Sequence, residues 1–224
     1  MTTPADICAY CGAPATTDDH IPPQGLLIGV PRRMRPSVRA CADCNGGASD
    51  DDEYFRDVVL KYHRVADKPE AQPAIERMFR AMKKPEKRGY AADAILRLTE
   101  ANVRTFGGIH LGRQPAYHVD GERIERTAQR YVRGLHQYER GMAIAASHRL
   151  RVSCEPESLT DRVRRIAESF RAARVRVVRK GVFWYSYFAA TDAPESSAWL
   201  LVFFDSFPIL GVILPRERSI PGAG

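Results

Sequence analysis

Four of the five cysteines in the sequence stand in two Cys-x-x-Cys pairs, Cys8 with Cys11 in "CAYC" and Cys41 with Cys44 in "CADC". Two such pairs can present four thiolates to one tetrahedral zinc ion and close a structural site around it. A redox-active pair or a set of disulfides is the alternative, but a duplicated pair in a chain without a secretion signal favours zinc. Cys154 stands apart, in the alternating stretch "HRLRVSC", and is predicted to be a small core residue.

The segment between the cysteine pairs carries side chains that are common in catalytic sites. Asp19 and His20 directly precede the rigid pair Pro22 and Pro23, and Asn45 follows the last cysteine. Closing the zinc site would draw Asn45 towards Asp19 and His20, so that a carboxylate, an imidazole and a carboxamide could converge. Because the prolines restrict the backbone directly after His20, they would hold these groups at fixed relative angles.

This constellation resembles the HNH endonuclease family, specifically its members with four zinc cysteines and the ββα-metal fold. The pattern of that branch is C-x-x-C, a D-H-I/V-x-P segment and a second C-x-x-C followed at once by His or Asn. It reads here "CAYCGAPATTDDHIPP" and "RACADCNGG", so the resemblance covers residues 6–65, and nothing comparable is recognised in residues 70–224. The family usually carries a middle Asn before its last motif, where this chain has Pro36 and Ser37.

The resemblance implies a role for three residues. His20 corresponds to the general base that takes a proton from the attacking water, a task suited to an imidazole with an unperturbed pKa of about 6.5. Asp19 and Asn45 correspond to ligands of one divalent ion, which stabilises the pentacovalent phosphate and the departing oxygen. Hard oxygen ligands of this kind suit Mg²⁺ or Mn²⁺.

The basic composition is consistent with a phosphate-rich partner. The chain of 224 residues has a formal net charge of +7, and its cationic residues are 28 arginines and 6 lysines. Guanidinium groups bind phosphate in a bidentate manner, so DNA is the predicted partner, with RNA as an alternative. Arg32, Arg33 and Arg35 lie beside the predicted catalytic segment and are the candidate contacts. A GC-rich coding genome is the other explanation of the arginine content.

The predicted elements place this site in the first of two units. Residues 1–66 would form the zinc-stapled ββα-metal domain, completed by a helix after Asn45. The apolar residues of that helix recur at helical spacing and are Phe55, Val58, Val59, Tyr62 and Val65. The hydroxyl and acidic groups of residues 49–53 are predicted to cap its start, with assistance to the metal as the alternative. His63 is predicted to be a packing or surface residue.

Residues 67–224 are predicted to be an α+β region of unknown role. Apolar periodicity indicates a short helix around residues 75–82 and longer helices over 91–106, 121–140 and 158–173. About four antiparallel strands follow from "HRLRVSC", "VRVVRKGVFWYSYFAAT", "SAWLLVFFD" and "FPILGVILP". The arginines of helix 121–140 are expected to be solvated, or alternatively to follow a phosphate backbone. The expected fold class is therefore α+β throughout.

These features predict a metal-dependent endonuclease that hydrolyses DNA phosphodiester bonds in restriction, phage defence or mobile-element processing. A non-catalytic zinc module that binds nucleic acid is the main alternative, and a protein-interaction adaptor is a third class. No run approaches the roughly 18 apolar residues of a membrane span, and the first residues lack the pattern of a secretion signal, so a cytoplasmic protein is expected. Because one active site cuts one strand, a homodimer is one arrangement that would cut both.

Overall fold

A β-hairpin lies between the two cysteine pairs and provides the first two strands of the described residues. The computed structural model describes residues 7–104, 108–154, 173–189 and 196–216. Strand β1 (Thr17–His20) pairs antiparallel with β2 (Ser37–Ala40). The connection between them contains a cis peptide bond from Ile21 to Pro22 and a short 3-10 turn at Arg32–Met34. The hairpin therefore carries the cysteine pairs at its two outer ends.

The helices follow the hairpin along the chain. In the described residues they are α1 (Ala42–Gly46), α2 (Ser49–Lys61), α3 (His63–Ala66), α4 (Gln72–Met82), α5 (Arg88–Leu96) and α6 (Gly121–Arg140). The single helix predicted after Asn45 is divided, because the extended backbone of Tyr62, with ψ of 125°, separates α2 from α3. Within the described part of the chain, no helix combines the length and apolar character needed to cross a membrane.

Two further sheets complete the described structure. Strands β3 (Leu98–Arg104) and β4 (His110–Tyr117) form an antiparallel hairpin. The larger sheet contains β5 (His148–Ser153), β6 (Arg174–Arg179), β7 (Phe183–Ala189), β8 (Ser197–Phe203) and β9 (Phe207–Pro215). Its strands are antiparallel neighbours in the order β5-β9-β8-β7-β6. The mixed α+β composition and the antiparallel sheets agree with the sequence prediction.

Two further secondary-structure predictions differ from the structure. Helix α6 has the predicted limits, but the helix expected over 91–106 ends at Leu96 and continues as β3. The helical spacing of its apolar residues suggested a buried face. Ile95, Leu96 and Leu98 are instead 66%, 83% and 59% exposed, so these residues do not face the core. The long strand predicted over "VRVVRKGVFWYSYFAAT" is a hairpin, turned at Gly181 with φ of +73°. The helix predicted over 158–173 falls almost entirely outside the described residues.

One apolar core joins the N-terminal hairpin, the helices and the five-stranded sheet. Helix α6 contacts α2, β2, β5 and β9, so it runs through the middle of this core. The ring of Phe55 on α2 meets Tyr131 on α6 at 5.1 Å and Phe203 on β8 at 5.5 Å between centroids. Residues on both sides of position 66 share the core. The division into units 1–66 and 67–224 stays a prediction.

Gly134 allows α6 to pack directly on the segment that follows β1. A Cβ atom at this position would lie 2.1 Å from Ile21 Cδ1 and 2.9 Å from the Tyr10 hydroxyl. A glycine inside a helix costs about 1 kcal/mol relative to alanine. The close contact between α6 and the segment after β1 therefore requires a glycine, although alanine would make the helix itself more stable.

Gly134→Ala should lower the free energy of unfolding by about 1–3 kcal/mol, because the added methyl group overpacks the contact with Ile21. Gly121→Ala in the first turn of the same helix is the matched control, since a Cβ there meets open space. That control should leave the stability unchanged or slightly higher. Urea unfolding followed by circular dichroism measures both variants. A Gly134→Ala protein as stable as the wild type would contradict the tight contact.

Candidate active site

The four paired cysteines form one cluster. The Sγ atoms of Cys8, Cys11, Cys41 and Cys44 all lie within 4.8 Å of one another, and those of Cys11 and Cys41 are 3.7 Å apart. A disulfide needs about 2.05 Å. A tetrahedral zinc ion with Zn–S bonds of about 2.3 Å separates its sulfurs by about 3.8 Å. The cluster could therefore hold a metal ion such as zinc, and it is the one such group of His, Cys, Asp or Glu side chains in the described residues.

The turns that carry the cysteines direct backbone N–H groups at the sulfurs. The Tyr10 amide donates to Cys8 Sγ at 3.5 Å, and the Cys44 amide donates to Cys41 Sγ at 3.4 Å. Gly12, with φ of +76°, closes the first turn, and Cys41 is the N-cap of α1. Each pair therefore lies in a tight turn that stabilises negative charge on sulfur.

The thiols of the cluster differ in acidity. Burial raises the pKa of Cys8, but hydrogen bonds from the backbone of Cys41, Tyr10 and Cys11 outweigh it and lower that pKa to about 7. Burial and the neighbouring thiols raise the pKa of Cys44 far above its ordinary value. Without a cation, the sulfurs cannot all carry charge together, and a bound metal would remove this conflict.

His20 ends β1 with an imidazole that lacks hydrogen-bond partners. Both of its ring nitrogens are buried, and neither has a partner in the described structure. Burial lowers the pKa of His20, and the charges of Arg32 and Arg35 lower it further. Leaving a buried polar atom unpaired costs about 1–3 kcal/mol. Such an imidazole is neutral near pH 7, with one N–H donor and one acceptor nitrogen that are both unpaired in the described structure.

Backbone pairing holds the segment around His20. Ser37 lies opposite His20 in the hairpin, and the Ile21 amide donates to the Pro36 carbonyl oxygen at 2.9 Å. Pro36 and Ser37 stand where the HNH pattern has its middle Asn. In this chain the main-chain carbonyl group of Pro36, directly before β2, therefore braces the loop after His20.

Asp19 directly precedes His20 in β1, and its carboxylate is directed at α6. Its carboxylate is only 6% exposed. Asp19 Oδ2 accepts hydrogen bonds from the Tyr10 hydroxyl and from Arg130 Nη2, both at 2.5 Å. The predicted metal ligand is thus engaged by a cation from α6, a partner 111 residues away that the sequence did not indicate.

Arg130 also binds a second carboxylate. Its Nη1 atom donates to both oxygens of Asp52, at 2.9 and 2.8 Å, and the Tyr131 hydroxyl donates to the same side chain at 3.0 Å. The guanidinium carbon lies 5.2 Å from the centre of the Tyr10 ring. Burial raises the pKa of Asp52, and the charge of Arg130 opposes that rise. Arg130 is therefore the shared cation of Asp19 and Asp52.

The other acidic residues at the start of α2 pair with α6 as well. Arg123 donates through Nε to Asp51 at 2.7 Å and through Nη2 to the Asp50 carbonyl oxygen at 3.0 Å. Arg126 Nε donates to Asp51 at 3.3 Å. The N-cap of α2 is Ala48, which has no side-chain hydrogen bond. The acidic residues 50–52 thus lie in the first turn of α2, as predicted, but no side chain caps the helix, and three of the arginines considered for a phosphate backbone form ion pairs with α2.

Asn45 connects α1 to the strand that carries Asp19 and His20. Its Nδ2 atom donates to Thr17 Oγ1 at 3.1 Å and to the Asp18 carbonyl oxygen at 3.3 Å. The structure therefore brings the carboxamide against β1. The roles of Asn45, Asp19 and His20 in catalysis remain predictions.

The three candidate phosphate-binding arginines differ in their surroundings. Arg32 and Arg33 are exposed in the 3-10 turn between the hairpin strands. Arg35 is half-buried and donates through Nε and Nη2 to the Val30 carbonyl oxygen, at 2.9 and 2.6 Å. Two of the three are thus available to a ligand, whereas Arg35 braces the loop.

Cys154 and His63, for which no chemical role is predicted, lie in a packed and in an exposed position. Cys154 is half-buried against the core, and burial raises its pKa to about 12. His63 is exposed, with its ring 4.7 Å from that of Tyr62. Both observations agree with the sequence predictions.

We expect purified protein to contain about one zinc ion per chain, because two Cys-x-x-Cys turns provide one tetrahedral site. Cys8→Ser and Cys44→Ser should lose the metal and unfold the N-terminal hairpin, since binding free energy at such a site is folding free energy. Cys154→Ser is the control and should keep the zinc. Elemental analysis with circular dichroism gives both quantities. A well-folded, metal-free preparation, or a disulfide within the cluster, would contradict this expectation.

Comparison of the chain with protein-family models, with curated proteins and with solved structures found no match.

Proposed function

We propose that the protein is a metal-dependent endonuclease of the HNH type that hydrolyses DNA phosphodiester bonds, with a structural zinc ion in the cysteine cluster. The observation that carries the proposal is the imidazole of His20, whose two buried nitrogens lack partners on a strand that Asn45 contacts. The large majority of buried polar side-chain atoms in folded proteins are hydrogen-bonded. An imidazole held without partners favours a chemical role.

His20 suits the role of general base in this proposal. Burial, Arg32 and Arg35 all lower its pKa, so the ring is neutral and can accept a proton from a water molecule near pH 7. The same arginine charges would attract a phosphodiester to the side of the strand where His20 lies. Proton acceptance and anion attraction therefore arise from one arrangement.

The donor groups near β1 suit a hard divalent ion. Asp19 supplies a carboxylate and Asn45 a carboxamide oxygen, which are the ligand types that Mg²⁺ or Mn²⁺ prefers. When bound, such an ion supplies positive charge that stabilises the phosphate and the leaving oxygen. Asp19 offers Oδ1 for this purpose, because Oδ2 already accepts from Tyr10 and Arg130.

The exposed arginines of the loop between β1 and β2 are the proposed DNA contacts. Arg32 and Arg33 can reach a phosphate backbone from the 3-10 turn, whereas Arg35 is held by the Val30 carbonyl oxygen. Because phosphate contacts alone carry no sequence information, they would also accept RNA. The proposed substrate is DNA, in restriction, phage defence or mobile-element processing.

The engagement of Asp19 favours a second candidate, a zinc module that binds nucleic acid without cutting it. A carboxylate that is 6% exposed and paired with a guanidinium attracts a divalent ion less than a free carboxylate does. The main-chain carbonyl group of Pro36, instead of an Asn side chain, braces the loop beyond His20. A chain that kept the zinc scaffold and lost the chemistry would share these features.

His20→Ala should reduce nicking of supercoiled plasmid by at least about 100-fold, because a general base acts in the transition state. Zinc content and DNA affinity should stay nearly unchanged, since the base adds little to ground-state binding. His63→Ala, which removes an exposed imidazole on α3, is the matched control and should nick like the wild type. The assay compares Mg²⁺, Mn²⁺ and EDTA.

Two results of that assay would contradict the endonuclease. Equal nicking by the wild type and His20→Ala would indicate a contaminant or another active site. No nicking by either protein, with intact zinc and sound DNA binding, would favour the binding module.

The affinity for duplex DNA should fall steeply with salt, because each phosphate contact releases condensed counterions. Replacing Arg32 and Arg33 by alanine should reduce the slope of log K against log salt by about 2. Replacing the exposed Arg64 and Arg77 changes the net charge equally and should affect the slope less. Fluorescence anisotropy at several salt concentrations measures all three proteins. An absence of affinity for both DNA and RNA would instead favour a protein-interaction adaptor.

A further inference from the structure

A guanidinium lies beside the carboxylate that the proposed function assigns to a metal ion. Arg130 Nη2 is 2.5 Å from Asp19 Oδ2, and the side chains of Arg130 and Asp19 are only 14% and 7% exposed. Charges buried to this extent are screened little by salt. A divalent ion that binds Asp19 therefore meets a fixed positive charge on the same carboxylate.

We propose that Arg130 is a positioning residue that takes the cation's place at Asp19 and so sets the affinity of the site for a divalent ion. This inference rests on the proposed function, because it concerns the same carboxylate. Arg130 acts through Asp19: its Nη2 atom contacts Asp19, its Nη1 atom contacts Asp52, and its Nε atom is buried.

Helix packing fixes the position of Arg130. Arg123, Arg126 and Arg130 follow one another at intervals of three and four residues, so they share one face of α6. All three grip acidic residues at the start of α2. One helical turn later, Gly134 lets α6 contact the segment beyond β1. The guanidinium is therefore held by the body of the protein, and an incoming ion has to compete with it.

Tyr10 makes the other contact to Asp19 and carries no charge. A phenol is uncharged near pH 7, and the Tyr10 hydroxyl donates to Asp19 Oδ2. It orients the carboxylate without neutralising it. Arg130 thus supplies the charge at Asp19, whereas Tyr10 only orients its carboxylate. Substitution of one partner at a time can test these two contributions separately.

The test measures Mn²⁺ binding to zinc-loaded full-length protein by electron paramagnetic resonance, without DNA. Arg130→Gln should tighten Mn²⁺ binding by about tenfold or more, because it removes the positive unit charge that lies beside the Asp19 carboxylate. Arg126→Gln is the matched control: it removes an arginine that is 57% exposed on the same helix and pairs with Asp51, and it should change the affinity less than about twofold. Tyr10→Phe should have a smaller effect than Arg130→Gln, since it removes a neutral donor.

Two double variants show whether the effect passes through Asp19. Arg130→Gln with Asp52→Asn keeps the local net charge of the wild type and replaces a buried ion pair by a neutral pair, which proteins often tolerate. It should still bind Mn²⁺ more tightly than the wild type, and it serves if Arg130→Gln alone fails to fold. Adding Asp19→Asn to Arg130→Gln should abolish the gain.

The inference is overturned if folded, zinc-loaded Arg130→Gln and the charge-matched double variant bind Mn²⁺ no more tightly than the wild type. A gain that survives Asp19→Asn would overturn it too. Plasmid nicking, measured in parallel, tests the proposed function separately. Tighter, Asp19-dependent Mn²⁺ binding without any nicking would support the role of Arg130 and reject the endonuclease.

Discussion

The buried ion-pair cluster around Arg130 is the interaction on which the arrangement of the site depends. One guanidinium binds Asp19 on the N-terminal hairpin and Asp52 on α2, and it does so from α6 in the second half of the chain. Removing one partner of such a cluster leaves a buried charge unpaired and costs about 3–5 kcal/mol. The cluster therefore links three elements that are distant in sequence. A displacement of α6 would also displace the charge that pairs with Asp19 on β1.

Helix α6 is itself held at both ends by charged and polar contacts. At its start, Arg123 and Arg126 bind the acidic residues of α2. Near its end, the carboxylate of Glu139 accepts hydrogen bonds from Tyr185 at 2.6 Å and Tyr187 at 3.2 Å on the five-stranded sheet. The C-terminal region thereby supports the candidate site through one helix, which gives the sheet a structural role in positioning Asp19.

The hairpin buries unpaired and charged groups, which lowers its stability and which a purely structural hairpin would not need. One short hairpin contains three unusual features. The imidazole of His20 has two unpaired nitrogens, two arginines lower its pKa, and the carboxylate of Asp19 is buried beside a guanidinium. Groups of this kind concentrate at functional sites, where perturbed ionisation serves chemistry or binding. The cysteine cluster lies at the end of the hairpin where β1 begins and β2 ends, and a metal ion bound there would tie these two ends together.

The sequence alone determined the features that depend on local spacing. Two Cys-x-x-Cys pairs specified a four-sulfur cluster, because each turn places two thiols on one side, and a 3.6-residue period specified α6 with its limits. Only the tertiary structure decided what Asp19 contacts, since its partner Arg130 is 111 residues away and any of 28 arginines could have filled that position. It also decided that the acidic start of α2 pairs with α6 instead of capping its own helix, and that the apolar residues around Leu96 form no helix face. Periodicity reports which side chains share a face, but only packing determines what that face meets.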